Sequence, residues 1–175
     1  MNLKNIYEEM PVDVTAEQMW QVLSVYGDVS GFHSGVKQSY KVEGSANKAC
    51  IGGERVCNIV DMGLKIQLKE RIIDYQEGIG YQYEVYEWKN FPLRKMLFKF
   101  SIRENISGGV LLRLDIDYKA KPAILTSIVA WKMRILIHDV LLGYKHYAQT
   151  GEKNVPLSTL RRKYKDSDTE YLQSA

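Results

Sequence analysis

One carboxylate in this chain stands where a carboxylate is costly. In LKIQLKERII, residues 64–73, Leu64, Ile66, Leu68 and Ile72 alternate with Lys65, Gln67, Lys69 and Arg71. That period of two belongs to a strand with one apolar face. Glu70 falls on the apolar face, between Leu68 and Ile72. A buried carboxylate must be paired, hydrogen-bonded or protonated. Its expected partner is Arg55, in the preceding strand GGERVCNIV, which shares parity with Ile51, Cys57 and Ile59. Val56 and Val60 compete for the same inward face. Two roles stay open for the pair. It can be an inward ion pair that fixes strand register. It can also be a polar handle for the head of a ligand, with Glu70 as the candidate catalytic acid or base.

Aromatic residues supply a second constellation. Tyr81 and Tyr83 share parity with Ile79 and Val85; Met96, Phe98, Phe100 and Ile102 share parity on the next strand; Leu112, Leu114, Ile116 and Tyr118 do so on the last. Tyr83 and Tyr118 thus place hydroxyls in an apolar wall, and a buried hydroxyl needs a partner from protein, water or ligand. Tyr86 and Trp88 fall on the opposite parity, as outer-face residues or as side chains turned inward past a bulge. The three histidines, His33, His138 and His146, read as surface or rim residues. His138 and His146 are too far apart along a helix to share a metal. Cys50 and Cys57 lack CxxC spacing and read as a reduced pair in a cytoplasmic chain. No GxSxG, GxxxxGK[ST] or GxGxxG sequence occurs, so no nucleophile elbow, phosphate loop or dinucleotide fingerprint points to a cofactor or a triad.

The elements that must position these residues follow from changes of period. Residues from about Leu3 to Val12 read as a strand. Thr15 and Gln18 match a capping box, and Met19, Trp20, Leu23 and Tyr26 continue at helical spacing. GDVSGFHSG is turn-rich, with room for a second short helix. From Val36, the residues Val36, Gln38, Tyr40 and Val42 alternate with Lys37, Ser39, Lys41 and Glu43, the latter set facing solvent. The strands GGERVCNIV, LKIQLKERIID, IGYQYEVYEW, RKMLFKFSIRE and VLLRLDIDYKA then succeed one another with turn residues between them, an antiparallel meander. Pro122 stops the last strand. From about Ala123 to Thr150 the period returns to that of a helix, with Leu125, Val129, Met133, Leu136, Ile137, Val140, Tyr144 and Tyr147 in one stripe. Lys132, Asp139, Lys145 and His146 lie largely on other faces. A helix of about 27 residues is about 40 Å long and needs a large partner, which only the sheet provides. Residues 152–175 read as a polar tail, flexible or a short helix, carrying the basic cluster LRRKYK.

Bulk properties fit this reading. The chain has 175 residues, 45% hydrophobic and 26% charged, the mix of an ordinary folded domain. At this size roughly 70% of the unfolded surface is hidden on folding, enough for a core without staples. Its 24 basic and 21 acidic residues give a net charge of +3, which gives no case for nucleic acid. The start, MNLKNIYEEM, lacks the apolar stretch of a signal peptide. The apolar run near Ala123–Trp131 is too short to span a bilayer.

The order strand, short helices, meander, long helix resembles the helix-grip fold of the START-like superfamily, also called SRPBCC. That superfamily includes polyketide cyclase/dehydrase proteins, plant abscisic-acid receptors and pollen-allergen-like lipid binders. The resemblance spans about residues 3–150. VTAEQMWQVLSVYGDVSGFHSGV is similar to the family opening, GGERVCNI to its Gly-x-x-Arg strand, LKERIIDYQEGIGYQYEV to its Glu-Arg strand and turn, and DVLLGYKHYAQ to its helix terminus. It implies an α+β fold: a curved antiparallel sheet of six to seven strands wrapped around a long C-terminal helix, with two short helices after strand one. Residues 1–151 would form the ligand-binding domain and 152–175 the tail.

The resemblance also implies a cavity between the sheet and the long helix, with its mouth near Phe32-His33, Asp61-Met62 and Asn90-Pro92. Its expected lining is Arg55, Glu70, Tyr81, Tyr83, Phe98, Phe100, Leu114, Tyr118, Val129, Met133 and Leu136. In the abscisic-acid receptors the residue matching Glu70 helps line the pocket through water. VDMG and NFPL replace the gate and latch sequences of those receptors, so a hormone-receptor role is not expected. Three functions are compatible with the pattern. The first is binding or transport of a small hydrophobic molecule, without cofactor, metal or nucleic acid. The second is a polyketide cyclase or dehydratase acting in the same cavity. The third is a coenzyme-Q-binding or ribosome-associated interaction protein. The pattern leaves the oligomeric state open.

Overall fold

The computed structural model describes residues 3–61, 63–122 and 125–174, and the side chains of these apart from Leu93, 126–128 and 166–174. Seven strands form one antiparallel sheet: β1 (Lys4–Val12), β2 (Gln38–Lys41), β3 (Glu54–Asp61), β4 (Leu64–Gln76), β5 (Gly80–Lys89), β6 (Leu93–Glu104) and β7 (Val110–Ala120). Their order is β1-β7-β6-β5-β4-β3-β2. Strands β2 to β7 are therefore a plain meander, and β1 closes on β7. The sheet packs against α2 (Leu125–Thr150), with the short α1 (Ala16–Leu23) following β1. This is the α+β helix-grip arrangement that the sequence implies.

Local chemistry explains the boundaries. The Gln18 N–H donates to the Thr15 hydroxyl at 3.2 Å and the Thr15 N–H to the Gln18 carbonyl oxygen at 2.9 Å, a complete capping box. One helix forms here, where two were expected. The GDVSGFHSG segment winds through turns instead, held by bonds from the Phe32 and His33 N–H groups to the Val29 carbonyl. Gly31 and Gly35 weaken any helix there. At the other end of α2, Gly151 adopts φ 73° and its N–H reaches back to the Tyr147 carbonyl at 2.8 Å, the left-handed cap that glycine favours.

Burial follows parity closely on β4 to β7. Tyr81, Tyr83, Val85, Met96, Phe98, Phe100, Ile102, Leu112, Leu114, Ile116 and Tyr118 are all buried. Leu64 and Ile79, on the same stripes, sit at strand ends and are exposed, as is Ile51 in the turn before β3. β2 inverts the expected faces. Ser39 is buried and Tyr40 exposed, because the Ser39 hydroxyl accepts the buried Val29 N–H at 2.8 Å. A bulge explains the two residues of opposite parity on β5. Lys69 pairs with Glu87 and Glu70 with Val85, so Tyr86 is the extra residue. Trp88 then lies opposite Leu68 and packs on the core, while the Tyr86 hydroxyl reaches Glu54 on the other face at 3.0 Å.

Residues 152–175 carry a third helix, α3 (Leu157–Ser174). Leu160 and Tyr164 are buried. Arg161 grips Asp139 with both arms, at 2.8 and 2.6 Å. Asp139, Lys145 and His146 do lie off the main stripe of α2, but α3 covers that side, so all three are buried. His146 bonds Tyr164 and Glu152, each at 3.0 Å. His146 and His33 are thus interior residues, correcting their reading as surface or rim groups. His138 stays part-buried, 2.7 Å from Glu8.

Candidate functional site

Arg55 and Glu70 face each other across the β3–β4 ladder. Their side chains point into the core, with Arg55 Nε 2.5 Å from Glu70 Oε2. Exposure is 0% for Arg55 and 4% for Glu70, so this is a dry ion pair and not a surface one. The Arg55 Nη1 group also donates to the Tyr26 carbonyl at 3.1 Å. The guanidinium lies 4.2 Å from the centroid of the Tyr26 ring and 5.0 Å from that of Tyr83, the geometry of cation–π contact. The Cys57 thiol, one pleat along β3, lies 3.7 Å from Glu70 Oε2.

Around this centre the aromatic wall closes. Tyr83 stacks on Phe98 at 4.9 Å. Phe100 leans on Tyr144 at 5.1 Å and on Tyr81 at 5.9 Å. The Tyr81 hydroxyl donates to the Leu23 carbonyl at 3.2 Å, which makes it a satisfied core tyrosine. Leu114, Tyr118, Val129 and Met133 belong to the same core, and Leu136 is half-buried against it. Tyr118 is opposite Met96 on the β6–β7 ladder and fully buried.

Among the described residues, the buried Tyr26 Oη and His33 Nδ1 near Arg55 have no hydrogen-bond partner, and Tyr144 Oη has none but the Arg55 guanidinium beside it. Each belongs to a group whose ionisation responds to the Arg55 charge. Burial raises the Tyr26 phenol, against the pull of Arg55. Burial likewise pushes Tyr144 up to about 12 and lifts Tyr83 well above its ordinary value. Burial, aided by Arg55, lowers His33 to about 3. Burial and the Glu70 carboxylate raise the Cys57 thiol. Burial disfavours the Arg55 cation, but its neighbours, Glu70 foremost, together outweigh that and raise the guanidinium well above its ordinary value. The cluster is therefore the Arg55–Glu70 pair ringed by phenols, a thiol and an imidazole that burial keeps neutral. Its spare capacity is mostly donor capacity, suited to an oxygen acceptor such as a carbonyl, hydroxyl or carboxylate.

Tyr26, Tyr144, His33 and Cys57 complete the centre, beyond the residues singled out from strand parity. Tyr144 lies on the α2 stripe, whereas Tyr26, expected to continue the α1 spacing, falls three residues past the end of α1 at Leu23, and nothing in the spacing ties either to Arg55. The link is the approach of the α1–β2 connection to α2. Gly143 makes that approach possible: a Cβ there would lie 2.1 Å from the Phe32 carbonyl oxygen. Phe32 can therefore stack on Tyr147 at 4.6 Å.

Two of the cavities outlined by described residues are well defined. One, of about 260 Å³, lies between the 30–36 segment, the end of α2 and the start of α3, and touches His33, Gly143, His146 and Leu160. The other, of about 510 Å³, is an open groove beside Asp13–Ala16 and the β6–β7 turn. Neither is bounded by the concave face of the sheet. Phe32 and His33, expected at a mouth, are buried and border the first cavity from within. Of the other expected mouth loops, Met62 lies outside the described residues. Asp61 pairs with Lys132 of α2 at 2.8 Å, and Asn90 donates to the Lys65 carbonyl at 2.9 Å. Among the described residues no three His, Cys, Asp or Glu side chains group as metal ligands, and no helix is long and apolar enough to cross a membrane.

Comparison with solved structures finds the same fold. Ginseng major latex-like protein 151 from Panax ginseng superimposes with a TM-score of 0.66 at 12% identity, over 89% of this chain and 100% of that one. A START superfamily protein from Mycobacterium smegmatis gives 0.62 at 14% identity, over 78% and 93%. Ara h 8.0201 gives 0.62 at 18% identity, over 85% and 99%. No curated protein matches the sequence significantly. The family model described as "Polyketide cyclase / dehydrase and lipid transport" matches residues 4–143. That match takes in β1 through most of α2 and every residue of the ion-pair centre except Tyr144, which follows it directly, and the chain belongs to this family, a START-like (SRPBCC) member with the helix-grip fold.

Proposed function

We propose that this protein binds or carries a small, largely apolar molecule with one oxygen-bearing polar head, held between the sheet and α2. The observation that carries the reading is the unspent donor set around Arg55: two buried phenol hydroxyls, Tyr26 with no partner among the described residues and Tyr144 with none but Arg55, itself a donor, beside a fully buried ion pair. Buried polar groups are almost always satisfied, so the cluster favours an acceptor supplied from outside the chain. The apolar residues Phe98, Leu114, Val129, Met133 and Leu136 would hold the body of the molecule. Val129, Met133 and Phe98 keep 7–8% exposure and lie on the side of the core where α2 is least tightly seated. Entry then requires these side chains to part, and the family description, which names lipid transport, agrees with such a role. A cytoplasmic location fits the two free cysteines.

The test is native mass spectrometry of the purified chain, before and after solvent extraction, followed by titration with a fluorescent fatty-acid probe. A retained apolar mass, or saturable probe binding weakened by Tyr144→Phe, supports the reading. A chain that carries nothing and binds no probe overturns it.

A second reading has its own observation. Glu70 and the persistently protonated phenols of Tyr26 and Tyr144 form a carboxylate with hydroxyl donors near it, the parts needed to move a proton beside a carbonyl. The family's cyclase/dehydrase chemistry would use them so. Under that reading Glu70→Gln abolishes turnover and leaves binding; under the carrier reading binding alone is affected.

A further inference from the structure

In a meander the turns alternate between two ends. The β3–β4 turn, the β5–β6 turn and the β7–α2 connection share one end. Three contacts bind them together there: Lys132 to Asp61 at 2.8 Å, Asn90 to the Lys65 carbonyl at 2.9 Å, and the Lys121 N–H to the Pro92 carbonyl at 3.1 Å. This end carries large apolar side chains in water. Trp131 is 66% exposed, Leu64 53%, Val60 50% and Ile135 38%. Lys65, Lys89, Arg94, Lys95 and Lys121 surround them, all exposed. Among the described residues of these turns the one acid is Asp61, and it is already paired with Lys132. The connections of the opposite end bear Asp13, Glu43, Glu77 and Glu104 against Lys48. A net charge of only +3 is thus divided unevenly along the molecule.

We infer that the Trp131 end is a docking surface for an anionic lipid bilayer. Each part of the arrangement has a counterpart in that partner. The exposed strand ends at Val60 and Leu64 and the exposed Trp131 near the start of α2 can enter the headgroup layer, where an indole is well accommodated. A ring of lysine and arginine around them is attracted to anionic headgroups. The acidic far end is repelled by the same surface, so the charge asymmetry selects one orientation. Docking itself does not depend on the interior binding anything. If the carrier reading also holds, the docked end is the one where α2 is least tightly seated, and a lipid could pass there without crossing water.

The test uses the full chain and two kinds of vesicle, phosphatidylcholine alone and phosphatidylcholine mixed with phosphatidylglycerol. Flotation should recover the chain with the mixed vesicles, weakly or not at all with the neutral ones, and less as salt rises. Lys89→Glu with Lys95→Glu should weaken the mixed-vesicle affinity about tenfold or more. Trp131→Ser with Leu64→Ser should do the same while circular dichroism and urea midpoint stay near those of the parent, since all four side chains are exposed. Failure of the parent chain to bind mixed vesicles overturns the inference, as does binding that ignores both double variants. Native mass spectrometry is independent of this outcome: a chain with a retained ligand and no vesicle binding loses the docking surface and keeps the carrier role.

Discussion

Glu70 and Arg55 set the terms at the scale of single residues. Glu70→Ala leaves a fully buried guanidinium without its carboxylate, and a broken buried pair costs on the order of 3–5 kcal/mol. Urea unfolding should register a loss of that size. A much smaller loss means that water reaches Arg55, and ligand retention should then fall more than stability. His33 gives a pH prediction. Its folded value is near 3 against 6.5 when free, so the unfolded chain takes the proton first. The contribution of His33 is whole above 6.5 and is lost as pH falls toward 3, with a limiting slope of about 1.4 kcal/mol per pH unit. His33→Phe should flatten this part of the stability profile, measured by urea midpoints at successive pH values. Covalent alternation made the Glu70–Arg55 pair legible in the sequence, because one strand's parity is fixed by the chain itself. Ser39 shows the limit. On a four-residue strand, the need of one loop N–H for an acceptor outweighed the apolar pattern and turned Tyr40 outward.

Among the elements, the α1–β2 connection and α2 depend on each other. A methyl group at Gly143 has no room against the Phe32 carbonyl. Gly143→Ala should therefore cost about 1–3 kcal/mol through overpacking, despite alanine's better helix propensity, and thermal unfolding would report it. This contact also explains what the sequence left hidden. The stripe holding Tyr144 was visible as a periodicity, and Tyr26 looked like a continuation of the α1 spacing although the helix stops at Leu23. Their convergence on Arg55 was not visible, since it depends on how two distant segments cross. The β5 bulge is similar: parity left Trp88 either on the outer face or turned inward past a bulge, and the extra residue at Tyr86 takes it to the core. In α3 the same physics worked in reverse. The tail carrying LRRKYK read as flexible or a short helix, and in the helix it forms Arg161 is held by Asp139 and Tyr164 is buried against His146. The acid that Arg161 answers lies 22 residues away, beyond any local pattern.

Over the whole molecule, α2 is seated unevenly. Val140, Leu141, Leu142 and Tyr144 are 0–2% exposed, whereas Val129, Ala130 and Met133 keep 7–8% and Trp131 stands in water. Amide exchange should thus be faster over 129–136 than over 137–147, by local opening at the lightly packed end, and an apolar ligand should slow it. Equal protection along the helix would argue against entry at this end. The burial of Cys57 turns this motion into something that can be timed. Its thiol is shut inside with Glu70 3.7 Å away, and its thiolate is disfavoured by burial, while Cys50 is only half-buried. An alkylating reagent will consume Cys50 at once and must wait for Cys57 until the interior parts. The delay between the two additions is a stopwatch built into the chain, readable by mass alone, and whatever molecule fills the interior will lengthen it.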